Sequence, residues 1–221
     1  VYSNISNFGE SLDYFQEAFA ITQKNEKLRE NSPILLEAMG VLYEREKKYK
    51  DALNYIESAY EIMKKSGHRA DVKKNTANNI ASIYNRLNRS EESLKVLSEV
   101  KEPVNNKKID FLWKAIYIEA IFKDGQVLRA KNMATNLYKE LAKVSEDEIC
   151  QTCINNLLSE IYDTLNKTDS AIYFSKIALN NTHELSYRID FYKNISKLYL
   201  KKGEFTTALL YKDSVIQEIG R

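Results

Sequence analysis

Apolar and polar residues follow one another along this chain at helical spacing, and one arrangement of small and aromatic residues returns repeatedly. In the segment LEAMGVLYEREKKYKDALNYIESA, Gly40 precedes Tyr43 by three positions, Ala52 follows Tyr43 by nine, and Ala59 stands seven beyond Ala52. Residues three, four or seven apart share one face of a helix. The nine-residue interval is long enough for the end of one helix, a tight turn and the start of another. The segment therefore predicts a helical hairpin in which small residues let two helices approach closely.

The same spacing recurs, which makes the hairpin the unit of the fold. The residue three before the large one is small in four units, and Ile118 departs from this pattern, which predicts looser packing in the fourth unit. Ser90 and Thr168 are predicted to be N-caps of second helices. Six pairs combine a large residue with a small one nine positions later: Tyr2–Ser11, Tyr43–Ala52, Tyr84–Ser93, Ile121–Ala130, Tyr162–Ala171 and Tyr199–Ala208.

Two segments, L..MG.LY…Y.DAL.Y…A in 36–59 and I..SKLYLKKGEFTTAL in 195–209, resemble the tetratricopeptide repeat. The resemblance implies an all-α fold, a right-handed α-solenoid of antiparallel helical hairpins with about five and a half repeats. Successive second-helix markers are 41, 41, 37, 41 and 37 residues apart. These steps exceed the family's usual length of about 34 residues, so the helices should be longer, as in similar regions of bacterial signalling regulators. We expect a single domain over 1–221, with repeats near 1–25, 31–67, 69–103, 105–144, 146–182 and 184–220.

Composition narrows the classes of partner. Lys and Arg total 33 against 31 Asp and Glu, so the net charge of +2 provides no general attraction to nucleic acid or to an anionic membrane. The sequence has no run of about eighteen apolar residues that could span a bilayer. With 6 Gly and 2 Pro, a β-rich fold is disfavoured. We therefore predict no nucleic-acid partner and no direct membrane insertion of this chain.

The first helices are predicted to line a concave groove, which is the surface that helical repeat arrays use for binding. Asparagine is frequent there, and its amide can donate to and accept from a peptide backbone. The alternative is that these amides are merely solvated. Extrapolated from the resemblance, the partner-binding positions are Asn75, Asn78, Asn85, Arg86, Glu119, Phe122, Asn156, Glu160, Lys193, Lys197 and Lys201.

The last three of these positions form a basic stripe. Lys193, Lys197 and Lys201 are spaced four apart, so they share a helix face, and Glu160 and Asp163 are expected to face them from the preceding unit. One interpretation is a site for an acidic peptide or a carboxylate. The alternative is a solvated lysine face that pairs with the neighbouring carboxylates.

The residues suggest binding rather than catalysis. Cys150 and Cys153 form the motif CQTC, which leaves three alternatives open: a redox pair at a helix N-terminus, a structural disulfide, or two reduced thiols. One such pair is a weak zinc signal. The sequence has no glycine-rich phosphate loop and no HExxH motif. We predict a protein that is not an enzyme and that uses no metal or other cofactor.

Two functional hypotheses follow. The first is a module that binds a protein or peptide segment in its groove. The second is the sensory region of a larger bacterial membrane-bound transcriptional regulator or histidine kinase, with an output domain beyond Arg221. The first hypothesis leaves the compartment open, and the second favours an extracytoplasmic position over a cytoplasmic one.

The two ends of the chain carry a further expectation. Tyr2 fits the aromatic position of a first helix, which would start the chain in the middle of a unit. Some of the apolar residues of the last helix are expected to remain exposed. We therefore expect a fragment of a longer protein, with self-association through the C-terminal helix as a further partner hypothesis. Those apolar residues are Leu209, Leu210, Val215, Ile216 and Ile219.

Overall fold

The computed structural model describes residues 2–144 and 148–219, without the side chains of residues 2–7, 26, 27, 148 and 149. These residues form eleven α-helices, one 3₁₀ segment at Glu26–Asn31 and no strand, which confirms the all-α prediction. The helices are α1 (Tyr2–Lys24), α2 (Ser32–Arg45), α3 (Tyr49–Lys65), α4 (Ala70–Arg86), α5 (Ser90–Glu99), α6 (Lys107–Lys123), α7 (Val127–Leu141), α8 (Glu148–Thr164), α9 (Thr168–Asn180), α10 (Leu185–Lys202) and α11 (Phe205–Ile219).

The helices pair as the sequence spacing predicts. Helices α2 and α3, α4 and α5, α8 and α9, and α10 and α11 pack as hairpins. The first predicted repeat differs, because α1 continues without a turn from Tyr2 to Lys24. The prediction that Tyr2 belongs to a first helix and Ser11 to a second is therefore wrong, and the side chain of Tyr2 lies outside the described residues.

Every hairpin turn places one residue in the left-handed region, four positions after the large residue of the first helix. In the Tyr43 and Tyr199 units these are Lys47 with φ of 59° and Gly203 with φ of 84°. The next backbone N–H then donates back to the carbonyl of the large residue, at 2.9 Å in the Tyr43 unit and 3.0 Å in the Tyr199 unit. The left-handed residues of the five hairpin turns are Lys47, Asn88, Gly125, Asn166 and Gly203.

The cap prediction needs a correction. Arg89 and Lys167 occupy the N-cap positions of α5 and α9, and neither makes a side-chain cap hydrogen bond. Ser90 and Thr168 are the first helical residues instead. The left-handed residue and the return hydrogen bond together fix the turn length, and this moves the helix start one residue away from the position that the hydroxyls suggest.

Small residues bring the two helices of a hairpin into contact, as predicted. A Cβ atom added to Gly40 would overlap Cγ1 of Ile56 and would lie 3.0 Å from the carbonyl oxygen of Ala52. Where serine replaces glycine, its hydroxyl uses the same short approach. Ser159 donates to the carbonyl of Ala171 at 2.9 Å, and Ser196 donates to the carbonyl of Ala208 at 2.7 Å.

The chain divides into two compact units, residues 1–116 and 117–221. In the first unit, Leu53 and Ile56 of α3 form a core with Ile80 of α4. In the second, Ile172 of α9 packs with Ile195 of α10. The single domain over 1–221 and the six repeat limits stay predictions. Among the described helices, none combines the length and the apolar character needed to cross a bilayer.

Candidate functional site: the faces of the first helices

Glu37 is the centre of a polar cluster in the first compact unit, between α2 and α4, which are the first helices of two successive hairpins. Its carboxylate on α2 accepts from the Thr76 hydroxyl at 3.0 Å and from the Asn79 amide at 2.8 Å, both on α4. Burial raises the pKa of Glu37 above its ordinary value, and these two hydrogen bonds oppose the rise. Two donors on α4 therefore stabilise the buried carboxylate of Glu37.

A second contact between successive first helices occurs in both units at the same repeat positions. In the first unit, Glu44 of α2 approaches the Arg86 guanidinium of α4 at 3.4 Å. In the second unit, Asp163 of α8 accepts from Lys201 of α10 at 2.7 Å. The acidic residue directly follows the tyrosine of its helix, and the basic residue is two positions beyond the next tyrosine. Arg86 and Lys201 therefore join neighbouring hairpins.

Two of the predicted groove asparagines are buried, which corrects their predicted exposure. The Asn78 amide donates to the carbonyl of Ile109 at 3.3 Å, and the Asn85 amide donates to the carbonyl of Ile116 at 3.0 Å. Both side chains reach α6 from α4 and have no exposed surface. Their hydrogen-bonding capacity thus joins helices rather than meeting a peptide backbone.

Lys74 is a buried cation that the sequence pattern did not reveal. Its ammonium group donates to Asp110 at 2.6 Å and to the carbonyl of Glu102 at 2.9 Å, and it lies 5.2 Å from the Trp113 ring. A buried lysine needs such partners because desolvation of an unpaired charge is costly. These contacts link the loop between α5 and α6 to α4 and α6.

The three lysines of the α10 stripe differ in exposure and in their ion pairs. Lys201 is 40% exposed and donates both to the Asp163 carboxylate and, at 3.1 Å, to its backbone carbonyl. Lys197 is 73% exposed, and its ammonium lies 3.7 Å from the same carboxylate. Lys193 is exposed, and so is the apolar side chain of Leu200 on the same helix. The stripe therefore keeps two accessible ammonium groups beside an accessible apolar side chain.

The other predicted groove residues fall in different surroundings. Asn156 donates to Glu160 at 2.8 Å within α8, and both are half-buried. Asn75 lies half-buried on α4, and Glu119 and Phe122 lie half-buried on α6. Asn75, Asn78, Asn85 and Arg86 belong to the first compact unit and the other seven to the second, so the predicted set describes two faces.

Sequence reasoning missed an asparagine position that links neighbouring hairpins. Asn79 and Asn194 each stand two residues before the small residue of a first helix. Asn79 donates to Glu37, and Asn194 lies within hydrogen-bonding distance of Ser159 and Ser175. The repetition of asparagine at one repeat position was the signal that could have identified this role.

The cysteines carry little chemistry in this arrangement. Cys150 is buried and Cys153 is exposed, and both are thiols rather than a disulfide. Within residues 2–144 and 148–219, no group of three His, Cys, Asp or Glu side chains is placed to hold a metal ion. The polar residues of the first helices thus offer hydrogen bonds and charges for binding.

This architecture agrees with the comparison with known families. Residues 31–102 match the tetratricopeptide repeat family, and the fold of the whole chain resembles that of repeat proteins of this type. No curated protein matches the chain by sequence.

Solved structures of low sequence identity share the fold. A Rap protein complexed with Competence and Sporulation Factor superposes with a TM-score of 0.79 at 14% identity, over 94% of this chain and 58% of that one. NprR in complex with its cognate peptide NprX gives 0.71 at 18% identity, over 96% of this chain and 61% of NprR. A thermophilic repeat protein of this type from Thermus thermophilus gives 0.66 at 14% identity, over 86% and 92% of the two chains. The chain thus spans about three fifths of the Rap and NprR chains.

Proposed function

We propose that this chain is a non-enzymatic interaction module that binds a segment of another protein on the faces of its first helices. Helical repeat scaffolds ordinarily act through such extended surfaces. The structurally similar Rap protein was solved with Competence and Sporulation Factor, and NprR was solved with its cognate peptide NprX. The α10 face supports a binding role, because it presents the exposed ammonium groups of Lys193 and Lys197.

The segment that best fits the second unit is acidic with an adjacent apolar residue. The observation that carries this assignment is the exposure of Lys197 and Lys193 next to exposed Leu200. Lys201 already forms an ion pair with Asp163, so we assign it a structural role rather than contact with the partner. A partner carboxylate at Lys197 would replace a long 3.7 Å approach with a direct ion pair.

Selection from a displayed library of random peptides tests this proposal. The wild-type chain should enrich sequences that place Asp or Glu next to a large apolar residue. A Lys197→Glu variant should lose that enrichment, whereas Lys139→Glu, the same charge change at an exposed site on second helix α7, should retain it. Enrichment of neutral or basic peptides by the wild type would contradict the proposal, as would identical selection by Lys197→Glu.

The second candidate is a sensory region within a larger bacterial regulator. It is favoured by the match to only 58% of the Rap chain and 61% of the NprR chain, because the remainder of each protein has no counterpart in this chain. In this case, peptide binding to the first helices would control an output domain. Reading the gene beyond Arg221 tests it: an encoded DNA-binding or kinase domain would support it, and a stop codon directly after Arg221 would contradict it.

A further inference from the structure

A five-residue exposed stripe on α11 has the spacing of a helix-packing seam. Successive members are four, three, four and three residues apart, which places them on one face of the helix. We call this set the α11 stripe: Phe205, Leu209, Lys212, Ile216 and Ile219, all exposed.

The repeat pattern shows what such a position normally contacts. Leu209 and Ile216 stand one and eight residues after the small residue Ala208, where α9 has Ile172 and Leu179. Those two α9 residues are 6% and 8% exposed and pack into a core with α10, whereas Leu209 and Ile216 are 57% and 64% exposed. The α11 stripe thus corresponds to the surface of α9 that packs against the next helix, α10.

A matching exposed stripe lies on α1. We call it the α1 stripe, and it has the same four-three-four-three spacing: Glu10, Tyr14, Glu17, Ile21 and Lys24, all exposed.

The two apolar members of the α1 stripe are both accessible to solvent. Tyr14 has 73% of its surface exposed, and Ile21, the second apolar member, is 53% exposed.

Charge and apolar character match between the three central positions of the two stripes. Aligned centre to centre in either direction, Lys212 faces Glu17, and Leu209 and Ile216 face Ile21 and Tyr14. Pairing α11 with itself would instead oppose two Lys212 ammonium groups, and pairing α1 with itself would oppose two Glu17 carboxylates. Like charges at the centre of an apolar contact disfavour both symmetric arrangements.

We propose that copies of this chain associate head to tail, with the α11 stripe of one copy packed on the α1 stripe of the next. The contact is heterologous, so it leaves one stripe open at each end of a dimer and allows further copies to add. The interaction goes beyond peptide binding on the first helices and uses none of Lys193, Lys197 or Lys201.

Sedimentation velocity of the whole chain over a range of concentrations tests the proposal. The wild type should grow beyond a dimer as concentration rises. Lys212→Glu and Glu17→Lys should each remain monomeric, with association weakened at least about tenfold by the like-charge pair. An equimolar mixture of the two variants should associate again, because each supplies the opposite charge to the other.

A matched control and three outcomes decide the result. Lys95→Glu makes the same charge change at an exposed position of α5 and should associate like the wild type, and circular dichroism should show all variants to be folded. A wild type that stays monomeric at its highest soluble concentration overturns the proposal. Continued association of Glu17→Lys alone indicates contact of α11 with itself and overturns it too, as does failure of the mixture to associate.

Discussion

At Gly40, the absence of a single Cβ atom sets how closely α2 and α3 approach. The backbone of Ala52 and the side chain of Ile56 occupy the space that any larger residue would need. Other first helices satisfy the same requirement with alanine or with a serine whose hydroxyl donates across the contact. The residue type at this position therefore follows from the distance between two backbones.

The first prediction is that Gly40→Ala destabilises the chain by about 1–3 kcal/mol, because the neighbouring helix must shift. Gly9→Ala is the matched control, since a Cβ atom there meets nothing within 4 Å and the substitution should stabilise α1 by about 0.5–1 kcal/mol. Urea unfolding of both variants measures the difference. Equal effects of the two substitutions would refute the close-contact role of Gly40.

The second prediction concerns the pH dependence that Glu37 contributes. Its folded-state pKa is raised above the ordinary value of 4.5, chiefly by burial, so the charged form is disfavoured in the folded state. At neutral pH, Glu37→Gln should therefore be more stable than the wild type, since its amide can still accept from Asn79 and donate to the Thr76 hydroxyl.

That advantage should shrink as the pH falls through the folded-state pKa toward 4.5, where the wild-type carboxyl becomes protonated in both states. Urea unfolding of the two proteins at several pH values measures it. Glu46→Gln removes a carboxylate at an exposed position just beyond α2 and serves as the charge-matched control. A constant difference between Glu37→Gln and the wild type at all pH values would contradict the assignment.

At the scale of elements, the hairpin turn is the repeated unit that sets the helix boundaries. The left-handed residue lies four positions after the large residue in all five turns, whether it is glycine, asparagine or lysine. Asparagine tolerates this conformation better than most residues, and glycine adopts it without steric strain. Lys47 is the residue least suited to its turn, because its side chain adds the usual left-handed strain.

The third prediction is that Lys47→Gly stabilises the chain by about 1 kcal/mol, through relief of this strain. Gly203→Ala places the opposite change in an equivalent turn and should destabilise by a similar amount. Asn88→Gly should lie between them, close to zero. Thermal and urea unfolding measure all three, and destabilisation by Lys47→Gly would mean that the lysine side chain has a role beyond the turn.

Much of the fold could be predicted from sequence because helical spacing and backbone contact restrict residue types. The positions of Gly40, Ala52 and Ala208 gave the hairpins directly. The uninterrupted α1 was not predictable from spacing, since the pair Tyr2–Ser11 matches a hairpin that does not form. Part of the candidate site was also missed, because Asn78 and Asn85 can serve a groove or a neighbouring helix equally well, and only tertiary packing decides between them.

At the scale of the whole molecule, polar contacts between successive first helices separate structural residues from those available to a partner. Glu44 with Arg86 and Asp163 with Lys201 hold neighbouring hairpins together in the two units. Lys193 and Lys197 remain exposed, so they are the charges on the α10 face that are available for recognition. Binding should therefore have an electrostatic component to which Lys197 contributes.

The most direct test is the affinity of an enriched acidic peptide, labelled with a fluorophore and measured by anisotropy. Lys197→Glu should weaken binding about tenfold, and a peptide with its acidic residue replaced by lysine should bind that variant better than it binds the wild type. Lys139→Glu should bind the original peptide as the wild type does, and added salt should weaken the wild-type complex. Unchanged affinity in Lys197→Glu, or equal losses in Lys197→Glu and Lys139→Glu, would contradict the proposed binding face.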